Sequence, residues 1–422
     1  MTPTPDDPHQ ATRAVDDDRR IFLVDCDQFF VQVARLEDPE GAGKEELLIV
    51  GGTPEGRGVV TSASYPTRAF GVRSAMPTAR ALELCPRAVV VPVSRRACVE
   101  RSRAVAGVLE RMSPVVQAAS IDEFYLDLTG TERLFHGEEL EETAHRIREA
   151  VLHETEISVS IGGGTRKLIA KLATGLAKPG GVHVVPPGEE EAFMKRFQLR
   201  DIPGVGPSLA RALEARGLVE VEDLLPVEEE WLVRWFGESR GRWLWERARG
   251  IDPSRVNPRE PRKSVSSERT FADDIHEDEA LERELLRLSS SVGAALRRHE
   301  LKGRTVTVKI RDADFTTRQA GHTLPEAIES DGAIFSVGRN LLGQLRQRRR
   351  SGVRLLGVGV SSLVEGESPS QLDLFGEKAP TETDRTRTVS RMMDTLKERF
   401  GDEAILPGRL LEDKEEDKEN DR

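Results

Sequence analysis

Val24-Asp25-Cys26-Asp27 closes an apolar run that begins at Ile21, and Ser120-Ile121-Asp122-Glu123 opens a second apolar run ending at Leu128. The first places a carboxylate at the end of a buried strand. The second places two adjacent carboxylates at the start of another. Folding brings such groups together only at high electrostatic cost, unless divalent cations sit between them. Hard oxygen donors converging in this way form the layout of a two-metal phosphoryl-transfer site. An isolated Asp-Glu pair is more often a solvated turn. Here the flanking runs are apolar, and a carboxylate at a buried edge needs a partner.

The surrounding pattern gives these carboxylates a fold. Leu47–Val50, Val59–Ser62 and Ala88–Val93 read as strands. Arg95–Met112 has helical spacing, followed by strands Val115–Ala119 and Glu123–Leu128, a helix over Glu139–His153, a strand at Ile157–Ile161 and a helix over Arg166–Ala177. Without the insertion after Asp27, the order is β-α-β-β-α-β, the ferredoxin-like pattern. In that topology the third strand lies antiparallel beside the first, so its start meets the first strand's end. Asp25, Asp122 and Glu123 are thereby predicted to meet.

Beyond Lys178-Pro179-Gly180-Gly181, which breaks the last helix, residues 186–252 are mostly helical and carry all four Trp. Within them, Asp201-Ile202-Pro203-Gly204-Val205-Gly206-Pro207 has a Pro-Gly-x-Gly turn leading into a helix, the helix-hairpin-helix form. Gly204 and Gly206 would let backbone N–H groups approach a DNA phosphate closely; the competing reading is an ordinary interhelix turn. Residues 253–263 read as a linker, and 264–363 as a small α+β domain. Arg and Lys outnumber acids between 301 and 354, which fits either a phosphate-binding face or a solvated helix face. Residues 1–19 and 364–422 are polar and charged and are predicted to be disordered. One apolar cluster, Gln371-Leu372-Asp373-Leu374-Phe375, interrupts that tail; it is either a docking peptide or a chance pentapeptide.

Composition sets the outer limits. With 422 residues, 37% hydrophobic and 32% charged, the chain is long enough for two to four domains with a sizeable core. A net charge of -11 gives no global signal for nucleic acid, so local charge must supply one. Only 12 of the 62 basic residues are Lys. Cys26, Cys85 and Cys98 show no C-x-x-C or zinc spacing, which fits a reducing cytoplasm. No apolar run approaches the ~18 residues of a membrane span.

Taken together, Val24–Phe30, Tyr65-Pro66-Thr67-Arg68-Ala69-Phe70-Gly71-Val72, Ser120–Glu123 and Ala177-Lys178-Pro179-Gly180-Gly181 resemble the signatures of the Y-family DNA polymerases, most closely the DinB type, over roughly residues 20–363. The resemblance implies an α+β multidomain, right-hand polymerase. Its ferredoxin-like palm would comprise 20–28 and 95–185, its small fingers 29–94, its helical thumb 186–252 and its little finger 264–363. It implies that Asp25, Asp122 and Glu123, with the Cys26 carbonyl, hold two Mg²⁺. Phe30 would be the steric gate against a ribose 2′-hydroxyl. Ser62, Tyr65, Arg68 and Lys178 would bind the dNTP triphosphate, and Gln371–Phe375 would dock on the sliding clamp. It further implies a cytoplasmic monomer, nucleoid-associated during repair, that copies damaged primer-template DNA with low fidelity and no proofreading exonuclease. The rival reading is a catalytically silent scaffold of the same shape recruiting repair proteins to the clamp.

Overall fold

In the computed structural model, residues 19–133, 137–366, 382–401, 405 and 408 are described. They fall into two compact units, divided at Glu260/Pro261.

The first unit is built on β1 (Ile21–Cys26), whose six residues are all buried. A continuous apolar run of this kind is what a strand covered on both faces requires. After it come α1 (Phe29–Glu37), β2 (Leu48–Gly51), β3 (Val60–Ala63), α2 (Tyr65–Ala69), α3 (Thr78–Leu84) and β4 (Val89–Val91). Strands β3, β2 and β4 form a small separate sheet. Then come α4 (Arg95–Met112), β5 (Val115–Ala118), β6 (Glu123–Asp127), α5 (Leu140–Thr155), β7 (Val159–Gly164), α6 (Lys167–Ala177) and β8 (Val182–Val184). The main sheet has the order β5-β6-β1-β7-β8, with β6 and β7 both antiparallel to β1. This is the predicted arrangement, and its register sets Asp25 opposite Glu123.

Alternation along β1 assigns its two faces. Phe22 and Val24 pack with Val105, Val108 and Leu109 of α4 and Ala144, Ile147 and Val151 of α5. Ile21 and Leu23 point the other way, toward Ala170 of α6. Asp25, in step with Leu23, therefore lies on the α6 side. Helix α6 comes very close to the sheet because Gly162, paired with Leu23, has no side chain: a Cβ there would overlap the Thr174 amide nitrogen and the Ala170 carbonyl.

The remainder of this unit is helical: α7 (Glu190–Met194), α8 (Pro207–Glu214), α9 (Val221–Leu224), α10 (Glu229–Phe236) and α11 (Glu238–Ala248). They share a core that includes Met194, Leu213, Leu232 and Leu244.

The second unit runs β9 (Ser264–Ile275), α12 (Asp278–Arg298), β10 (Leu301–Asp312), β11 (Thr317–Ile328), α13 (Asp331–Arg348) and β12 (Val353–Glu365). Its element string repeats that of the first sheet, yet its strand order is β11-β10-β12-β9. Here the prediction of a disordered tail over 364–422 needs correction. Residues Asp384–Phe400 form helix α14, capped by Thr383. Its hold is ionic, which a hydropathy reading misses. Arg297, 5% exposed, donates two hydrogen bonds to Asp394 (2.6 and 2.8 Å) and one to Asp331 (2.9 Å). Arg391 reaches Glu329 at 2.7 Å, and the buried Glu382 carboxylate accepts from the Glu329 amide at 3.0 Å. The 371–375 peptide lies outside the described residues.

The basic run between 301 and 354 is also less available than its composition implies. Lys309 pairs with Glu268, Arg318 and Arg349 with Asp312, Arg339 with Glu282, and Arg346 and Arg350 with Asp278.

Gly162→Ala is expected to destabilise the protein by about 2 kcal/mol or more, because the obstructing atoms are backbone and cannot rotate away. Urea unfolding measures this; an unchanged midpoint would mean that α6 is not seated against β1 and β7 as described.

Candidate active site

The site forms where β1 ends. The Cys26 amide donates to the Asp122 carbonyl at 2.9 Å, which pins the Ser120–Glu123 turn against the end of the strand. Asp25 and Glu123 are directly opposite, so their Cβ atoms stand roughly 5 Å apart and their like charges repel. Each carboxylate is met by an ammonium group. Lys178 Nζ donates to Asp25 Oδ1 at 2.7 Å, and Lys171 Nζ donates to Glu123 Oε1. Asp122 is half-buried and accepts from the Ser120 hydroxyl. Burial pushes the pKa of Asp25 up to about 6 against the pull of Lys178, and Glu123 opposite adds to the rise.

Among the described residues, no three His, Cys, Asp or Glu side chains converge on one point, because the lysines stand at the carboxylates instead. The donor set still fits a divalent cation. Asp25, Glu123 and the adjoining Asp122 are hard oxygen donors, and two of them carry positive partners held only by exchangeable contacts.

Around these carboxylates the structure assembles several of the other predicted residues. Phe29 is buried, whereas Phe30 is half-buried and packs edge-on against it with ring centroids 5.6 Å apart. Spacing alone favours both rings in the core, and Phe30, though only half-buried, does pack against it. Ser64 caps α2, and Pro66 lies in its first turn, where a missing N–H costs nothing. This sets Arg68 over the Tyr65 ring, 5.1 Å from its centroid, with Arg68 Nε donating to the Ala63 carbonyl (2.9 Å) and Nη2 to Ser62 Oγ (3.4 Å). The Tyr65 amide donates to Gln28 Oε1 at 2.9 Å. Burial, followed by the charge of Asp27, raises the Tyr65 phenol above its ordinary pKa.

Elsewhere in this unit, Gly204 adopts φ +102, and a Cβ there would stand 2.7 Å from the Trp243 ring. Gly206 precedes α8 with open space beside it. A turn of this shape fits the helix-hairpin-helix reading and an ordinary interhelix turn alike.

Four contributors were absent from the sequence reading: Lys171, Gln28 and the hydroxyls of Ser158 and Ser160. Lys171 had a signal. In a chain so poor in Lys, Lys167 and Lys171 sit at i, i+4 and aim at the sheet, Lys167 lying 4.4 Å over the Tyr125 ring.

Opposed strand-end carboxylates on a ferredoxin-like sheet, with a basic and phenolic cluster beside them, define a nucleotidyl-transfer palm. Comparison with known proteins narrows the class. The impB/mucB/samB family profile matches residues 24–175, its C-terminal domain profile matches 262–374, and a DNA polymerase-iota thumb domain profile matches 200–252. The chain is 36% identical to a DNA polymerase IV of Desulfatibacillum aliphaticivorans, covering 93% of this chain and 97% of that protein. It is 39% identical to a DNA polymerase IV of Halorhodospira halophila, covering 82% and 95%. A solved Dbh–Dpo4–Dbh chimera of Y-family DNA polymerases superposes with a TM-score of 0.74 at 26% identity, over 82% of this chain and all of the other. The chain belongs to the Y-family DNA polymerases of DinB type and is a DNA-directed DNA polymerase. Its fold is α+β and multidomain, with a ferredoxin-like palm, a helical thumb and a little-finger domain. Polymerases of this family are metal-dependent. No helix among the described residues is long and apolar enough to cross a membrane.

The raised pKa of Asp25 has a measurable sign. A carboxyl that holds its proton more tightly when folded contributes most stability below its unfolded pKa, near 4. That contribution is lost as pH rises through about 6. In metal-free buffer, Asp25→Asn is therefore expected to gain on wild type between pH ~4 and ~7, by roughly 1–3 kcal/mol. Paired urea titrations across that range measure the gap, and a gap that does not change with pH contradicts the burial argument.

Proposed function

We propose that this polymerase performs low-fidelity, template-directed translesion synthesis by two-metal nucleotidyl transfer, without a proofreading exonuclease. The observation that carries the reading is the facing of Asp25 and Glu123, with Asp122 fixed beside them, on the sheet face that also bears Lys171 and Lys178. Asp25, Asp122, Glu123 and the Cys26 carbonyl would hold two Mg²⁺, which supply Lewis-acid activation of the primer 3′-hydroxyl and charge neutralisation at the triphosphate.

The chain's own groups do the rest. The incoming triphosphate draws Lys178 from Asp25 and receives its ammonium as a point charge. Arg68 offers a planar guanidinium from beside Tyr65, and Ser62 a hydroxyl. The half-buried Phe30 would be the gate that excludes a ribose 2′-hydroxyl. Backbone N–H groups at Gly204–Gly206 would hold a DNA phosphate without reading sequence. Gln371–Phe375 would dock on the sliding clamp and bring a monomeric enzyme to primer-template DNA in the cytoplasm, at the nucleoid.

Primer extension with Mg²⁺ and dNTPs is expected from wild type and not from Asp122→Ala/Glu123→Ala. Extension by both proteins would misplace the site; extension by neither, with DNA binding intact, would favour the silent scaffold.

Phe30→Ala is expected to lower discrimination against ribonucleotides by at least about tenfold, measured as the ratio of kcat/KM for dNTP and rNTP. An unchanged ratio removes Phe30 from the gate. Deleting 371–375 is expected to abolish stimulation by the clamp while sparing basal synthesis, and surviving stimulation refutes the docking role.

A further inference from the structure

Asp27 is the one buried carboxylate at this site that the proposed chemistry leaves unused. It is 3% exposed and only two residues from Asp25, yet its surroundings are of another kind. Its Oδ1 accepts from the Tyr65 hydroxyl (2.9 Å) and the Ser160 hydroxyl (2.8 Å). Its Oδ2 accepts from the Ser158 hydroxyl (3.1 Å) and the Gly180 amide (2.9 Å). A carboxylate offers about four lone-pair sites, so neutral donors fill all of them. Asp25 and Glu123, by contrast, each carry an ammonium group that can leave. Asp27 therefore has no site to offer a metal ion.

Its four donors come from separate stretches of chain. Tyr65 opens α2, Ser158 and Ser160 flank and belong to β7, and Gly180 follows the break after α6. Gly180 has φ +62, a left-handed conformation suited to glycine, and its amide also reaches Ser160 Oγ at 2.9 Å. The backbone of Asp27 is held as well: its amide donates to the Ser158 carbonyl at 3.0 Å, and its carbonyl accepts from the Gln32 side chain. Gln28, which follows at φ 40 and ψ 45, turns the chain into α1.

The geometry points to Asp27 as a positioning residue that assembles the triphosphate pocket, fixing Tyr65, and through its ring Arg68, together with the loop that carries Lys178. This rests on the polymerase reading and deepens it. Asp27 touches neither substrate nor metal. It aligns, from the palm, two groups of triphosphate ligands that are more than a hundred residues apart in sequence.

An Asn at this position shows why the charge matters. Gly180 N–H can only donate, so the amide oxygen must face it, and the amide NH₂ then faces Tyr65 and Ser160. Tyr65 must turn its single proton elsewhere. Asp27→Asn is accordingly expected to raise KM for dNTP about tenfold, on the scale of one hydrogen bond to a charged group, with kcat within about threefold of wild type. In a double-mutant cycle with Tyr65→Phe, the two KM effects are expected to be non-additive. Ser158→Ala, which leaves the Tyr65 contact in place, should shift KM less than threefold.

The experiment is single-nucleotide insertion kinetics on primer-template DNA for these variants, with NMR of ¹³Cζ-labelled tyrosine. The chain has two tyrosines, so Tyr65→Phe assigns the spectrum. The Tyr65 resonance should move in Asp27→Asn and the Tyr125 resonance should not. An unchanged KM, or additive effects with only a lowered melting temperature, would make Asp27 a structural residue and overturn the inference. Should Asp27→Asn not fold, Ser160→Ala carries the same cycle, since Ser160 shares Oδ1 with Tyr65. No insertion by wild type would overturn the polymerase reading and this inference with it. Insertion by wild type with no change in the variants would overturn this inference alone.

Discussion

Two carboxylates facing each other across adjacent antiparallel strands are the constraint on which this molecule turns. Asp25 and Glu123 are locked in register by five cross-strand partners running back to Ile21 and Asp127, so neither can slide away from the other. Like charges in that position are unfavourable, and burial of Asp25 makes them more so. The fold supplies cations. Helix α6 brings Lys171 to one carboxylate, and the segment just after it brings Lys178 to the other. That delivery depends on Gly162, whose missing side chain lets α6 lie against β1 and β7. A backbone detail on one strand thus sets the electrostatics at the end of its neighbour.

The choice of Lys in these positions has a physical logic. The chain overwhelmingly uses Arg, yet Lys167, Lys171 and Lys178 all gather on this face. A guanidinium bound in bidentate fashion to a buried carboxylate is a rigid, well-satisfied pair. An ammonium on a flexible stem exchanges partners readily and takes a phosphate as a point charge. A site that must exchange its resident cations for substrate and metal favours the second kind. Elsewhere the structure uses Arg where permanence is needed, as with Arg297 between Asp331 and Asp394.

Much of this was legible in the chain itself. The apolar runs and their order gave β-α-β-β-α-β, and the ferredoxin-like topology assumed for that order placed Asp25 beside Glu123. The limits are equally physical. The second unit has the same element string with a different strand order, so element order does not determine a sheet without its connections and faces. Helix α14 is fastened by ion pairs rather than by an apolar stripe, and so reads as polar tail. Composition left the basic stretch over 301–354 open between a phosphate-binding face and a solvated one because it counts charges without their partners; several of those partners, Glu268, Asp278 and Glu282, lie outside the counted window. The thumb turn was readable as a turn because glycine leaves an explicit mark, and Gly204 adopts a positive φ there.

The sharpest contrast lies within three residues. Asp25 and Asp27 are the same side chain, both buried, both at the end of β1, and alternation along a continuing strand would put them on one face. The strand stops at Cys26, and Gln28 turns in the left-handed region. Asp27 meets two serines, a tyrosine and a backbone amide, where Asp25 meets Lys178. Hydrogen bonds from neutral donors stabilise a charge in place and leave nothing for a ligand to take, whereas a lone ammonium neutralises a charge and can be displaced. What separates an available carboxylate from a committed one is the kind of donor around it. That difference is set by the partners the fold brings to each carboxylate, which no count of acidic residues could reveal.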